Sequence, residues 1–589
     1  SKAIQWAPDT TFHHRDQLDQ VQREMREITG TSVIVYDQTC AAEKRRRRRR
    51  GEMAIPDKRL FINEAVCEGC GDCGTQSNCV ALVPVETAFG RKRAINQSAC
   101  NMDYSCQSGF CPSFVTVTGG SLKKGHSNTG FQALAESLLL EPEVTPISGH
   151  YSILLTGIGG TGVVTVGAIL GMAAHLAGKG CSVLDMAGLA QKGGAVTSHI
   201  VLAEKPEDIS ATHVADSGAD LLLGCDVLTS ASDESLKKLK SGTVAVINTH
   251  QQMSGDFIED PDTQFPFEKM LSSIRDCVGS SVHTVDSTAV ATAAFGESIA
   301  GNLMILGFGY QLGGIPVPSV AIEKAIELNG RAVQMNIQAF RMGRAAAAKP
   351  DEVTRLLNSF PASQPVAVDE TVAQTVERLE SHLVAYQSKR YARRYRALVD
   401  TVQNVESGIE GADLRLTLAV ARSYHKLLSV KDEYEVARLY TDKRFKESLE
   451  STFEGSYRLK LNLAPPSLSK LSRKKGKNKK RAFGGWIFSL FRIMTLLRRI
   501  RGTVLDPFRY SKDRAFDQQL VKDYEETVSK LCAGLSAGNL DAAIEIALLP
   551  LAIRGFGHIK SAKASKTQMA AEKLWSEFEM PPVDVEDAA

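Results

Sequence analysis

The sequence predicts a multidomain α/β protein, on three observations. Tyr151–Thr156 is a short apolar strand that runs into Gly157-Ile-Gly-Gly-Thr-Gly162 and then a Val-, Leu- and Ala-rich helix from Val163 to about Ala177, the order of a βαβ unit. Further apolar strands alternate with helical stretches up to residue 345, which reads as a doubly wound, mostly parallel sheet. From about Val353 onward the pattern is mainly helical. A length of 589 residues has room for roughly two to four domains. The boundaries we expect are 1–43, the end of one domain; 44–59, a basic linker; 60–147, a cysteine-rich segment; 148–345, the α/β domain; and 346–589, the helical region.

Taken in order, His14–Ile28 sets Leu18, Val21, Met25 and Ile28 at helical spacing, with Gly30 as a stop signal. Thr31–Tyr36 is β-branched and aromatic and is expected to be a buried strand. One helix and one strand make no core, so this stretch is expected to complete a larger α/β domain, with further sequence upstream of Ser1. Lys44–Arg50 is a run of seven basic residues, read as a solvated, self-repelling linker. A nucleic-acid or import patch, or a face for an acidic partner, are its alternatives.

Seven of the twelve cysteines fall between Cys67 and Cys111. Cys67, Cys70 and Cys73 form a C-x2-C-x2-C run threaded with Gly69, Gly71 and Gly74, and Cys111 is followed by Pro112. Three closely staggered thiolates plus a distant Cys-Pro suit one [4Fe–4S] cubane, which makes the segment ferredoxin-like. Cys79, Cys100 and Cys106 remain for a second cluster, which would need a non-cysteine or outside ligand, or hold three irons only. Structural zinc is the second reading, but zinc sites usually pair two short knuckles and the later spacing here is C-x5-C-x4-C. Disulfides are the third; Ser1–Gln20 has no apolar signal core or small-residue cleavage site, and a cytoplasmic location is expected.

In the α/β domain Gly157, Gly159, Gly160 and Gly162 make a G-x-G-x-x-G turn, with Gly159 expected at its tight point, and Asp185 ends the next strand, Cys181–Leu184. That is the grammar of a dinucleotide site; a glycine turn that merely packs a helix on a sheet is the alternative. Strands are also expected at Ser198–Ala203, Ala219–Leu223 and Thr243–Asn248. The loop Gly188–Gly194 follows the second strand, where ligand crevices form. Its Gln191, Lys192, Gly193 and Gly194 are candidate ligand contacts, a solvated turn being the alternative.

Beyond residue 353, helices are expected at Lys389–Thr401, Thr417–Leu428 and Asp513–Ala533, a Lys- and Arg-dense loop at Ser467–Ala482, and a loose acidic tail at Met580–Ala589. Trp486–Ile500 places Trp486, Leu490, Phe491, Met494 and Leu497 together, a core-facing helix or one lying on a membrane surface. No chemistry is evident in this region. The chain lacks an H-E-x-x-H, a G-x-S-x-G, a P-loop Lys-Ser/Thr and a Gly-Asp-Gly with a downstream Asn pair for a magnesium diphosphate site. A net charge of +3 is too small for a nucleic-acid binder, and no run of about 18 apolar residues predicts a membrane span.

These motifs together resemble one family. CEGCGDCGTQSNC (67–79), SCQSGFCPSFVTV (105–117), TGIGGTGVVTVGAIL (156–170) and LAQKGGAVTSH (189–199) look like the large fused bacterial indolepyruvate:ferredoxin oxidoreductases, within the 2-oxoacid:ferredoxin oxidoreductases. YDQTCAAEKRRRRRR (36–50) looks like the end of their thiamine-diphosphate domain, and NLAPP (462–466), LDPF (505–508) and RGFGHIK (554–560) are similar to their helical C-terminal region. The resemblance implies an enzyme that oxidatively decarboxylates an aryl 2-oxoacid to acyl-CoA and carbon dioxide. Thiamine diphosphate and Mg2+ would sit in an upstream half or a partner chain, coenzyme A would take the acyl group, and ferredoxin the electrons. A homo-oligomer is expected, and this chain alone is expected to be incomplete as a catalyst. On this reading the glycine turn need not bind NAD. The rivals are an NAD(P)-linked iron–sulfur oxidoreductase subunit, with Asp185 on the ribose, and a non-catalytic electron-transfer subunit.

Overall fold

The computed structural model describes residues 5–123, 129–137, 140–188, 194–359, 370–464 and 480–579. The chain divides into two compact units, Ser1–Ile55 and Pro56–Ala589.

In the first unit the expected helix forms at Leu18–Arg26. The expected strand does not. Val33, Ile34, Val35 and Tyr36 form no strand and are exposed, because the described residues of this unit offer them no ladder to join. The basic run is also not a loose linker: Ala41–Arg49 is helical. Arg and Lys are good helix formers, and Glu43 pairs with Arg46 and Arg47 one turn on (3.1 and 3.0 Å).

The second unit opens with β1 (Lys58–Ile62), the hairpin β2 (Leu82–Val85) and β3 (Lys92–Ile95), and β4 (Phe114–Leu122). The α/β part holds β5 (His150–Ile158), β6 (Gly180–Ala187), β7 (Ala195–Ala203), β8 (Leu221–Gly224), β9 (Val244–Asn248) and β10 (Val282–Val285). Its sheet runs β10-β9-β8-β5-β7-β6. β5, β8, β9 and β10 are parallel neighbours, while β7 is antiparallel to both β5 and β6. The sheet is thus mostly parallel, as expected, with β7 inserted between the two strands of the first βαβ unit. The reason is local: β6 and β7 are consecutive strands paired antiparallel, with Ala187 opposite Val196. The crossover helix Val163–Leu176 buries Val166, Ile169 and Leu170 against Ile153 and Leu155 of β5, and the wholly buried helix Gly301–Gln311 joins the same core.

The remaining helices include Val372–Tyr386, Lys389–Glu406, Arg415–Leu428 and Lys512–Gly534, packed through Leu383, Tyr395, Val399, Val420, Tyr424 and Val528. This region is mainly helical, as expected, but not separate from the cysteine segment. Its β11 (Phe453–Leu463) pairs antiparallel with β4, and β12 (Arg481–Phe483) with β11, giving a sheet ordered β1-β4-β11-β12. Helix Ile487–Leu496 turns Ile487 and Phe491 onto that sheet's core and leaves Trp486, Leu490 and Leu497 exposed. The side expected to be continuous is therefore divided between core and solvent. Among the described residues no helix is long and apolar enough to cross a membrane. Most of the Lys- and Arg-dense loop, and the acidic tail, lie outside the described residues.

Candidate functional site

β1 delivers the chain to Asn63, whose carbonyl accepts from Cys67 N–H (3.0 Å) and turns the backbone inward. Gly69 N–H donates to Cys67 Sγ (3.3 Å), and Gly69 has φ +65°. A Cβ there would lie 2.2 Å from the Arg91 carbonyl oxygen. Gly69→Ala therefore meets both a left-handed backbone and a fixed carbonyl, and is expected to cost more than about 2 kcal/mol; the urea midpoint of the purified chain measures it. Cys73 lies on the short helix Asp72–Ser77, and the Asp72 carboxylate accepts from Phe110 N–H, which draws Cys111 to the same side. Cys111 Sγ lies 2.9 Å from Ser113 Oγ.

The thiols fall into two groups. Burial pushes the Cys73 thiol up, and the neighbouring Cys67, Cys111 and Cys70 push it further. Cys111 is pushed up to about 12 by burial and then by Cys67 and Cys70. Cys106 is pushed up to about 12 by burial and then by Cys79 and Cys100. Cys67, Cys70, Cys73 and Cys111 thus lie near one another, as do Cys106, Cys79 and Cys100, and Cys67, Cys73, Cys79 and Cys106 share one buried cluster. Cys70, Cys73, Cys106 and Cys111, buried beside other thiols, resist ionising unless a cation sits among them. All twelve cysteines are free thiols. Among the described residues no group of three or more His, Cys, Asp or Glu converges on a single metal-ion position.

The helical region supplies what surrounds the first group. Lys431 Nζ donates to the Cys67 carbonyl and pairs with Glu68, both at 2.7 Å. Lys563 Nζ donates to the Cys70 carbonyl (2.8 Å), Lys480 Nζ to the Gln107 carbonyl (3.1 Å), and Tyr440 Oη to the Pro112 carbonyl (2.6 Å). Burial alone would raise the Glu68 pKa, yet Lys431, Lys92 and Lys426 hold it down at about 2. Sequence reasoning missed all of these residues; Lys426, Lys431, Tyr440, Lys480 and Lys563 sit hundreds of positions from the cysteines, and no local pattern marks them.

Close by, His382 Nδ1 and His425 Nε2 share a hydrogen bond (3.0 Å), and both rings pack on Phe89. Burial lowers the His382 pKa to about 4, with Glu435 opposing and Arg438 assisting, and drives His425 down as well. An unfolded His binds its proton near 6.5, so below that pH the unfolded chain gains protons that folded His382 refuses. Its stabilisation is complete above about pH 6.5 and is lost as pH falls toward 4, by roughly 3 kcal/mol. The acid limb of the melting temperature against pH is expected to flatten in His382→Gln.

At the carboxyl end of β5 the glycine turn is clamped. Gly159 N–H donates to the Gly194 carbonyl (2.7 Å), Asn302 Nδ2 to the Thr161 carbonyl (3.1 Å), and Thr229 Oγ1 to the Gly157 carbonyl (3.3 Å). Left-handed backbone falls at Gly160 and Gly162, not at Gly159. Asp185 lies inside β6, its carboxylate accepting from Ser198 on β7, so an intervening strand separates it from β5. A dinucleotide fold wants that acid on the adjacent strand. Gly194 meets the turn; Gln191, Lys192 and Gly193 lie outside the described residues.

Residues 152–346, which carry this sheet and its glycine turn, match the family described as pyruvate ferredoxin/flavodoxin oxidoreductase. Residues 372–573 match a family of unknown function, DUF6537. Over residues 152–346 the chain is similar to the 2-oxoacid:ferredoxin oxidoreductases. Among its relatives is indolepyruvate oxidoreductase subunit IorB of Methanothermobacter thermautotrophicus, 26% identical over 202 residues, covering 34% of this chain and 99% of the relative. The subunit IorB of Archaeoglobus fulgidus is 26% identical over 208 residues, covering 34% and 98%. A pyruvate oxidoreductase subunit PORC from Thermotoga maritima, of known structure, is 22% identical, covers 33% of this chain and 95% of that one, and superposes with a TM-score of 0.25.

Proposed function

We propose that this chain carries electrons within an oxidoreductase that decarboxylates an aryl 2-oxoacid, indolepyruvate or a close analogue, to acyl-CoA and carbon dioxide, with ferredoxin as acceptor. The observation that supports it best is the division of seven thiols into groups of four and three beside the glycine-turn domain. Cys67, Cys70, Cys73 and Cys111 would hold a [4Fe–4S] cluster. The donor set fits: four thiols lie near one another, the Gly69 amide points at a sulfur, and Lys431, Lys480 and Lys563 offset an anionic centre. A cubane spreads its ligand sulfurs over separate corners, so it does not ask them to converge on a single ion. Cys79, Cys100 and Cys106 offer three ligands to a second cluster, and the Met102 amide donates to Cys100 Sγ (3.4 Å).

When bound, such clusters supply one-electron transfer. The protein's part is to bury them, offset their charge and connect them to the domains on either side. Thiamine diphosphate with Mg2+ belongs to a partner subunit or an upstream half, consistent with relatives that are named as subunits. The domain boundaries expected from the sequence stand as part of this reading, with one change: β11 and β12 belong with the cysteine segment's sheet. The experiment combines the anaerobically purified chain with a thiamine-bearing indolepyruvate oxidoreductase subunit, indolepyruvate, coenzyme A and ferredoxin. Ferredoxin reduction that requires this chain and is lost with Cys70→Ala supports the proposal. Reduction that proceeds equally without the chain overturns it.

A further inference from the structure

A cavity of about 2230 Å3 lies between the cysteine segment and the helical region, with Cys111–Pro112 in one wall and Arg422, His425 and Lys426 in another. It is far larger than the few hundred Å3 of an ordinary small-molecule site. Its charges do not balance. Glu68 is the shared carboxylate of Lys92, Lys426 and Lys431, and Lys431 alone holds it in an ion pair. Lys92 is 8% exposed and meets the Lys431 ammonium. Among the described residues Lys426 Nζ donates only to the carbonyls of Leu551 (2.8 Å) and Pro550 (3.2 Å), with Glu68 attracting it and Arg554, Lys92 and Lys560 crowding it. Among the described residues neither Lys92, Lys426 nor Arg422 has a carboxylate partner within ion-pair distance. The thiol groups attract Lys431, Lys480 and, through Cys67, Lys92 but do not account for Lys426 or Arg422.

Beside these cations stands an uncharged aromatic platform. Phe89 lies 5.7 Å from His425 at 26° and 4.8 Å from His382 between ring centroids. Arg378 sits over the Phe89 ring (5.4 Å) and is already paired with Glu370. Three lysines that share the single Glu68 carboxylate, with the exposed Arg422 beside them, favour a ligand carrying more than one negative charge. A neutral aromatic floor next to them favours a flat ring on the same ligand.

We propose that this cavity binds a phosphate-bearing nucleotide, its phosphates on Lys426, Lys92 and Arg422 and its ring against the Phe89 platform. The chemistry is shared by adenine nucleotides and by flavin mononucleotide, and the two are separated by test. The inference stands apart from the electron-transfer reading: iron content tests that one and ligand binding tests this one.

The experiment titrates the full, anaerobically purified chain with ADP, with flavin mononucleotide and with inorganic phosphate by calorimetry, iron content being measured on each sample. Saturable one-site binding of ADP or flavin mononucleotide is expected, the tighter naming the ring, with inorganic phosphate at least 10-fold weaker. Lys426→Met and Arg422→Gln are each expected to weaken binding at least 10-fold at unchanged iron content, and Lys426→Arg to retain it. Arg422 is exposed on its helix, so its variant keeps the test open if Lys426→Met folds poorly. No saturation by either nucleotide, affinity untouched in Arg422→Gln, or displacement of the nucleotide by indolepyruvate at equal concentration overturns the proposal.

Discussion

Cys70→Ala is expected to remove the main cluster, with a loss of about four irons per chain and of the dithionite-reducible absorbance. Cys70 has the Cys67 thiol beside it, and Cys73 and Cys111 complete the ring. With three thiolates left, one iron corner lies open to solvent and oxidant. Cys79→Ala is the matching control. Its neighbours are Cys106 and Cys100, so its loss should disturb the second set and leave the first. Iron and sulfide analysis with low-temperature electron paramagnetic resonance on both variants checks the assignment. Equal losses from both would mean that the seven thiols do not act as two groups.

Lys431→Met is expected to destabilise the fold by about 3 kcal/mol, the low end of the range for removing one partner of a buried ion pair. Lys431 and Glu68 meet at 2.7 Å with side chains 13% and 16% exposed, and Lys431 also anchors the Cys67 carbonyl. Without it Glu68 would be a buried carboxylate facing only Lys92 and Lys426. Those two cations soften the loss, which is why the low end is expected. A double variant, Lys431→Met with Glu68→Gln, should recover part of the stability, since it removes both members of the pair but also takes the shared carboxylate from Lys92 and Lys426. Urea denaturation of the four proteins measures the coupling.

Much of this molecule was legible in the sequence. The cysteine spacing, the glycine turn with its helix, and the strands near Cys181, Ser198, Ala219 and Thr243 are local patterns. Short-range sterics and hydrophobic period fix them, and the structure places each within a few residues of expectation. The expected strand at Thr31–Tyr36 and the linker at Lys44–Arg50 went the other way. In the first, β propensity found no partner strand; in the second, a charge run became helix through propensity and Glu43 pairing.

What the sequence by itself determined is chemistry and local shape: seven thiols on one short segment, and a βαβ turn ahead of an apolar sheet. Tertiary structure decided the neighbourhood. It slid β7 between β5 and β6, parting Asp185 from the glycine turn, and it drew β11 from residues 453–463 alongside β4. It also carried Lys431, Lys480 and Lys563 to the cysteines and closed a charged cavity beside them. The physical reason is range. Spacing and periodicity act over a few residues, whereas strand order and charge compensation depend on which distant segments bury their apolar faces together, and no local window records that choice.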